Sequence, residues 1–299
     1  MKDEPRTNFG PYDDEAQAGE PRLRRWARGL LQAVVLVVLV VLAGLFLFPV
    51  HAHAGRSCEA VKPTPALIVR GMQLAERTAQ ALDASGARVV VLARAGQDLS
   101  KYGLRYSHLG LAYKSAEGPW RVVHKLNRCG TAEAALYRQG LGEFFLDDLW
   151  RYEAAWEVPS PPVQQQLLAW LSEPAPRVGD TLGRLHTPAY SLVSYAWGRK
   201  YQQSNQWAIE TLAAAMEPAT VHTRQQAQAW PQFKGYEPTT LRLGPLTRLG
   251  GRVGSANVAF DDHPNEKRYA DRIETVTVDS VFDWLPRAGL AGPVARLKI

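Results

Sequence analysis

The sequence predicts an α+β fold: an antiparallel sheet packed against helices, preceded by an N-terminal apolar helix. Three observations carry this. Residues 105–129 read as two apolar strands joined by a polar turn that holds Gly118 and Pro119. Ile68, Met72, Ala75, Ala79 and Leu82 recur at spacings of four, three, four and three, one face of an amphipathic helix. Leu30 to Phe48 is apolar but for Gln32, a run of helical length.

Composition narrows the class. A chain of 299 residues, 46% hydrophobic, can bury one substantial core or two small ones. Nine Trp and eleven Tyr argue against disorder in the main body. Residues 1–28 hold six Lys/Arg and six Asp/Glu, and residues 29–54 hold none, so the net charge of +6 sits in residues 55–299. A basic body suits anionic surroundings such as lipid headgroups or acidic polymers. No Lys/Arg stripe is concentrated enough for nucleic acid, which is excluded as a partner.

Taken in order, residues 1–21 are polar, without apolar period, and read as a disordered cytoplasmic segment within 1–28. Arg22, Arg24, Arg25 and Arg28 precede the apolar run, and Ala52-His53-Ala54 follows it. Basic flank, apolar run and small-x-small site make residues 29–54 a secretory signal cleaved after Ala54 or, given the length of 29–48, a retained inner-membrane anchor. Either way the positive flank stays cytoplasmic and residues 55–299 form one periplasmic or otherwise extracytoplasmic domain. The two cysteines, Cys58 and Cys129, are then expected to pair. The bond would close a loop of about 70 residues, worth roughly 4 kcal/mol in the chain-entropy picture.

Thr64-Pro65 reads as a cap and first helical residue of a helix ending near Gly86. Ala87–Ala93 reads as a buried strand, and Gly96–Gly103 as a loop into the 105–129 hairpin. Beyond Cys129, short helices are expected at Ala132–Tyr137 and Leu141–Trp150, and a strand at Tyr152–Val158. A helix is expected at Val163–Leu171, then two more at Tyr190–Trp197 and Asn205–Met216. Thr223 and Gln226 have capping-box spacing for a helix through Trp230. Residues 238–260 read as short strands, and Ile273–Val278 as another.

His108 opens the first hairpin strand and shares its face with Gly110 and Ala112. An imidazole there is either packed and hydrogen-bonded or placed for chemistry. A histidine strand facing the start of a later helix is the geometry of papain-like hydrolases, whose helix dipole activates a nucleophile. Here the chain resembles circularly permuted members of the NlpC/P60 superfamily, in which His-x-Gly on a strand precedes Asn-Cys on a helix. His108-Leu109-Gly110 matches the first element, and Asn205-Gln206 stands where Asn-Cys would be. Glutamine is no nucleophile, so the resemblance implies a papain-like cleft degenerate at that position, with Ser204 as the nearest hydroxyl. A second resemblance spans most of residues 55–285. Gly-Gln-Asp-Leu-Ser at 96–100, Tyr-Ser-His at 106–108, His-Lys-Leu-Asn-Arg-Cys at 124–129, Ser-Asn-Gln-Trp at 204–207 and Phe-Asp-Asp-His-Pro at 260–264 resemble the bacterial exported family labelled domain of unknown function 2145. It carries no activity over.

Asp261-Asp262-His263-Pro264 reads as a turn, with an acid/base pair or metal ligands as alternatives. His124, on the second hairpin strand, is expected to face solvent or to be hydrogen-bonded, and it could approach His108. Asp98 is a candidate to orient a histidine. The expected function is that of an exported envelope protein that binds or hydrolyses an envelope-associated amide or ester. Its candidate site comprises His108, Ser204, Asn205 and Gln206. A binding or scaffold module, or a hydrolase using Asp261, Asp262 and His263, is the alternative. No cofactor is expected. The partners are an unidentified envelope component and, if the signal is retained, the membrane through residues 29–48.

Overall fold

The computed structural model describes residues 22–47, 63–147, 149–173 and 182–299. The expected disorder of residues 1–21, the Ala54 cleavage site and Cys58 lie outside the described residues, and with Cys58 the expected disulfide. Helix α1, Arg22–Leu47, belongs to one compact unit and every other described element to a second. The side chains of α1 are described at Trp26 and 29–40, all exposed, and among the described residues no helix is long and apolar enough to cross a membrane.

The second unit is α+β. Its frame is a six-stranded antiparallel sheet. In chain order the strands are β1 Val89–Ala95, β2 His108–Lys114, β3 Trp120–Asn127, β4 Ala134–Gly140, β5 Arg151–Glu157 and β8 Ala295–Lys298, and in space they run β4-β3-β2-β1-β5-β8. The hairpin β2–β3 has the expected place, with Leu111 opposite Val123 and Gly118 in the turn at φ +107°. A two-stranded ribbon pairs β6 Thr239–Arg242 with β7 Arg272–Thr275.

Side-chain alternation splits the sheet into two buried faces. Val90, Leu92, Ala112, Val122 and Ala154 face α2, Pro65–Ala84, and the short α3, Leu141–Phe145. Thr64 caps α2 through its hydroxyl, and Pro65 occupies the first turn, as the sequence predicts. Burial of Leu74 and Leu82 on this face contributes about 1.5–3 kcal/mol each. Val89, Val91, Ala93, Leu109, Leu111 and Val123 face the other layer. That layer holds α4 Pro161–Leu171, α5 Ser204–Met216, α6 Arg224–Phe233 and α9 Val278–Arg287.

Four local expectations fail. Of residues 132–137, those from Ala134 on lie in β4 rather than a helix, because Ala134–Gly140 completes the backbone hydrogen bonds of β3. The expected Leu141–Trp150 helix stops at Phe145. Tyr190–Trp197 forms turns: Ser191 Oγ donates to Ala259 O and Ser194 Oγ to Gln206 Oε1, bonds that compete with a helix. Within 238–260, β6 is followed by a helix, α7 Pro245–Gly254, with Pro245 in its first turn. The four-residue α8, Asn265–Arg268, completes the set of described α-helices.

Lys125 and Glu157 are buried on the side of the sheet that faces α4, α5, α6 and α9. Lys125 Nζ donates to Thr187 O (2.6 Å) and Gln202 Oε1 (2.8 Å), and burial, then Arg224, hold it down at about 6. Gln202 connects it to the buried Glu210–Arg224 ion pair. Glu157 is as deeply buried, yet no hydrogen bond reaches either carboxyl oxygen, and burial, then Asp283, pushes it up to about 9.

Candidate functional site

The start of α5 packs on β2 and β3. Gln203 caps it through its side chain, accepting from Asn205 N, and its amide donates to Val276 O. Asn205 Oδ1 accepts from Leu109 N (3.0 Å), and Asn205 Nδ2 donates to Val276 O (3.2 Å). Ser204 Oγ donates to Lys125 O (2.7 Å). The first turn of the helix is thus bonded to β2, β3 and the β7–α9 connection, so its position is set by three elements.

Beside this turn lies a cavity of about 340 Å³. Its polar end is formed by His108, Gln203, Ser204 and Asn205, and the rest is mostly apolar, with Leu99, Leu104, Leu192, Val193, Leu243 and Phe260 on the wall. A volume of this size falls in the range of small-molecule sites. Tyr106 also lines it; its hydroxyl donates to Glu153, and burial, then Glu153, raises it to about 12, so the phenol stays neutral. Tyr190 lies against Ser204 and is raised by burial.

His108 borders the same cavity, but its Nε2 bond runs away from Ser204. By alternation its ring shares a face with Gly110 and Ala112, toward α3. There Nε2 meets His124 Nδ1 at 2.8 Å, and His124 Nε2 meets Gln139 Oε1 at 2.8 Å. The carbonyl oxygen of Gln139 only accepts, so His124 carries its proton on Nε2. His124 Nδ1 is then an acceptor, and His108 Nε2 donates to it. The result is a chain of three side chains on β2, β3 and β4. Phe144 packs edge-on against His124, with ring centroids 5.3 Å apart, and the Arg94 guanidinium lies 4.7 Å over the Phe144 ring. Arg94 also donates to Phe144 O and pairs with Asp147. Burial, then Arg94, lowers His124 to about 3, so it is neutral at pH 7. Gly110 is required beneath this chain: a Cβ there would sit 2.4 Å from Val122 Cγ1 and 3.3 Å from His124 Cβ.

The structure brings His108, Ser204 and Asn205 to one cavity and leaves Gln206 out of it. Gln206 is fully buried; its amide donates to Tyr195 O and Ala196 O (3.2 and 3.0 Å), tying down the preceding loop. Asp261, Asp262 and His263 lie outside the cavity. Asp262 accepts from Tyr195 N (2.8 Å) and meets His263 Nδ1 (3.0 Å), while His263 Nε2 meets Glu274 O (3.2 Å). Asp261 accepts from Lys200 and Tyr201. Among the described residues no group of three or more His, Cys, Asp or Glu could hold a metal ion. Asp98 accepts from Ser100 rather than from a histidine.

Sequence reasoning missed Gln139, because 132–137 read as a helix. Strand β4, Ala134–Gly140, places Gln139 opposite Val122, on the face of His124. Gln203, one residue before the singled-out motif, gave no signal apart from its cap position. No curated protein and no solved structure matches the chain. The model of the DUF2145 family, described as an uncharacterized protein conserved in bacteria, matches residues 81–285, and the chain belongs to that family.

Proposed function

We propose that the cavity binds an envelope-associated amide or ester bearing an apolar group, without turning it over. The arrangement is a papain-like cleft, of the permuted NlpC/P60 kind, that has lost its nucleophile. Support comes from the histidine strand β2 lying beside the start of α5. The observation that carries the reading is the state of that helix start. Ser204 Oγ is engaged with Lys125 O, both ends of the Asn205 amide are engaged with backbone, and Gln206 is buried away from the cavity. Among the described residues no cysteine lines the cavity. A polar end with apolar walls recognises a carbonyl group with a hydrocarbon substituent. In this reading the domain is exported, is held at or released from the inner membrane by residues 29–54, and has an envelope component as its partner.

The test uses the full chain with a fluorescent acyl amide and the matching acyl ester. Both should bind saturably and be recovered intact, and Val258→Trp, which fills the cavity, should lower affinity at least about tenfold. Cleavage of either probe that is lost in Ser204→Ala would replace binding by catalysis. Unchanged affinity in Val258→Trp would remove the cavity from the reading.

A further inference from the structure

Helix α7 covers the cavity with one side and offers the other to solvent. Thr247 and Gly251, four residues apart, line the cavity. Leu246, Leu249 and Val253 occupy the opposite side, 84%, 60% and 80% exposed, and no residue of α7 is buried. Spacings of three and four put these three side chains on one stripe. The stripe runs along a helix that already carries a task, so its apolar character is not needed for packing. Between Glu237 and Asp261 there is no carboxylate, while Arg242, Arg248 and Arg252 supply three positive charges. Arg248 is tied to Asp271 (2.5 Å) and fixes the helix to the ribbon; Arg242 and Arg252 are exposed.

We propose that α7 docks on an anionic lipid surface. Leu246, Leu249 and Val253 enter the headgroup–acyl boundary, and Arg252 beside them meets the phosphates. A short apolar stripe flanked by arginine, in a segment without acids, has the charge and shape complementarity of an interfacial helix. Docking places the roof of the cavity against the bilayer. It does not depend on what the cavity holds.

The test is hydrogen exchange of the full chain reconstituted in vesicles of phosphatidylcholine alone or with phosphatidylglycerol, so that any contribution of residues 22–47 to membrane attachment is common to both. Amides of 245–254 should exchange about tenfold more slowly in the anionic vesicles. The slowing should vanish in Leu246→Ser/Leu249→Ser/Val253→Ser and shrink at high salt. Equal Tm of variant and parent would show that the fold is intact; should the triple variant unfold, Arg252→Gln alone should halve the slowing or more. Equal exchange in both vesicle types would overturn the proposal. So would protection without lipid that rises with protein concentration, which would assign the face to a second copy of the chain.

Discussion

Two histidine neighbourhoods can be set side by side. At Asp262–His263 the ring is held between its sequence neighbour and Glu274 O, and the carboxylate also receives Tyr195 N. At His108–His124 the partners come from three strands, and one end borders a cavity. The first cluster is contiguous in sequence and serves a loop; the second is dispersed and borders the candidate site. Adjacent polar residues satisfy one another and the nearest backbone, whereas a site needs groups that converge from separate elements on one space.

The comparison can be broken at several points. The largest effect is expected at Gly110. Gly110→Ala forces a methyl group into Val122 Cγ1 and against His124 Cβ, and should cost about 3 kcal/mol in urea denaturation. Asp262→Ala leaves Tyr195 N–H and His263 without their partner and should cost about 2 kcal/mol, while probe affinity in the cavity stays unchanged. If affinity falls with stability, the two neighbourhoods are not separate.

Acid sharpens the contrast. His124 has its folded value lowered to about 3, below an unfolded value of 6.5, so its stabilising contribution is present above pH 6.5 and is lost as pH falls toward 3. The stability difference between the parent and His124→Leu should therefore narrow by about 1.4 kcal/mol between pH 7.5 and 5.5. A difference that stays constant or widens would mean that His124 is charged in the fold. Gln139→Leu is the mildest change: it removes one acceptor and should cost about 1 kcal/mol, read from thermal unfolding at pH 7.

Much of the frame was legible. The hairpin, α2, β1, β5, α4, α5 and the capped α6 follow from period and punctuation, because each satisfies its backbone locally or shows a strong apolar rhythm. The failures have a common cause. Ala134–Gly140 has no strand rhythm of its own and becomes β4 by pairing with β3. Tyr190–Trp197 has helical spacing, but Ser191 and Ser194 spend their hydroxyls on distant segments. Within the site, His108, Ser204 and Asn205 could be named from motif spacing. Gln139 could not, since its role depends on strand register, which no local pattern records.

Lys125 and Glu157 have a joint consequence for how the folded protein exchanges protons. With values near 6 and 9, both are uncharged at pH 7, one missing cation against one missing anion. The pair therefore leaves the net charge of the folded chain at its formal count, even though both of its own charges are switched off inside. Unfolding at that pH draws a proton onto the amine and sheds one from the carboxyl. Calorimetry in buffers of different ionisation enthalpy would register no net uptake from the pair, whereas Glu157→Gln would expose the lysine's uptake of nearly one proton.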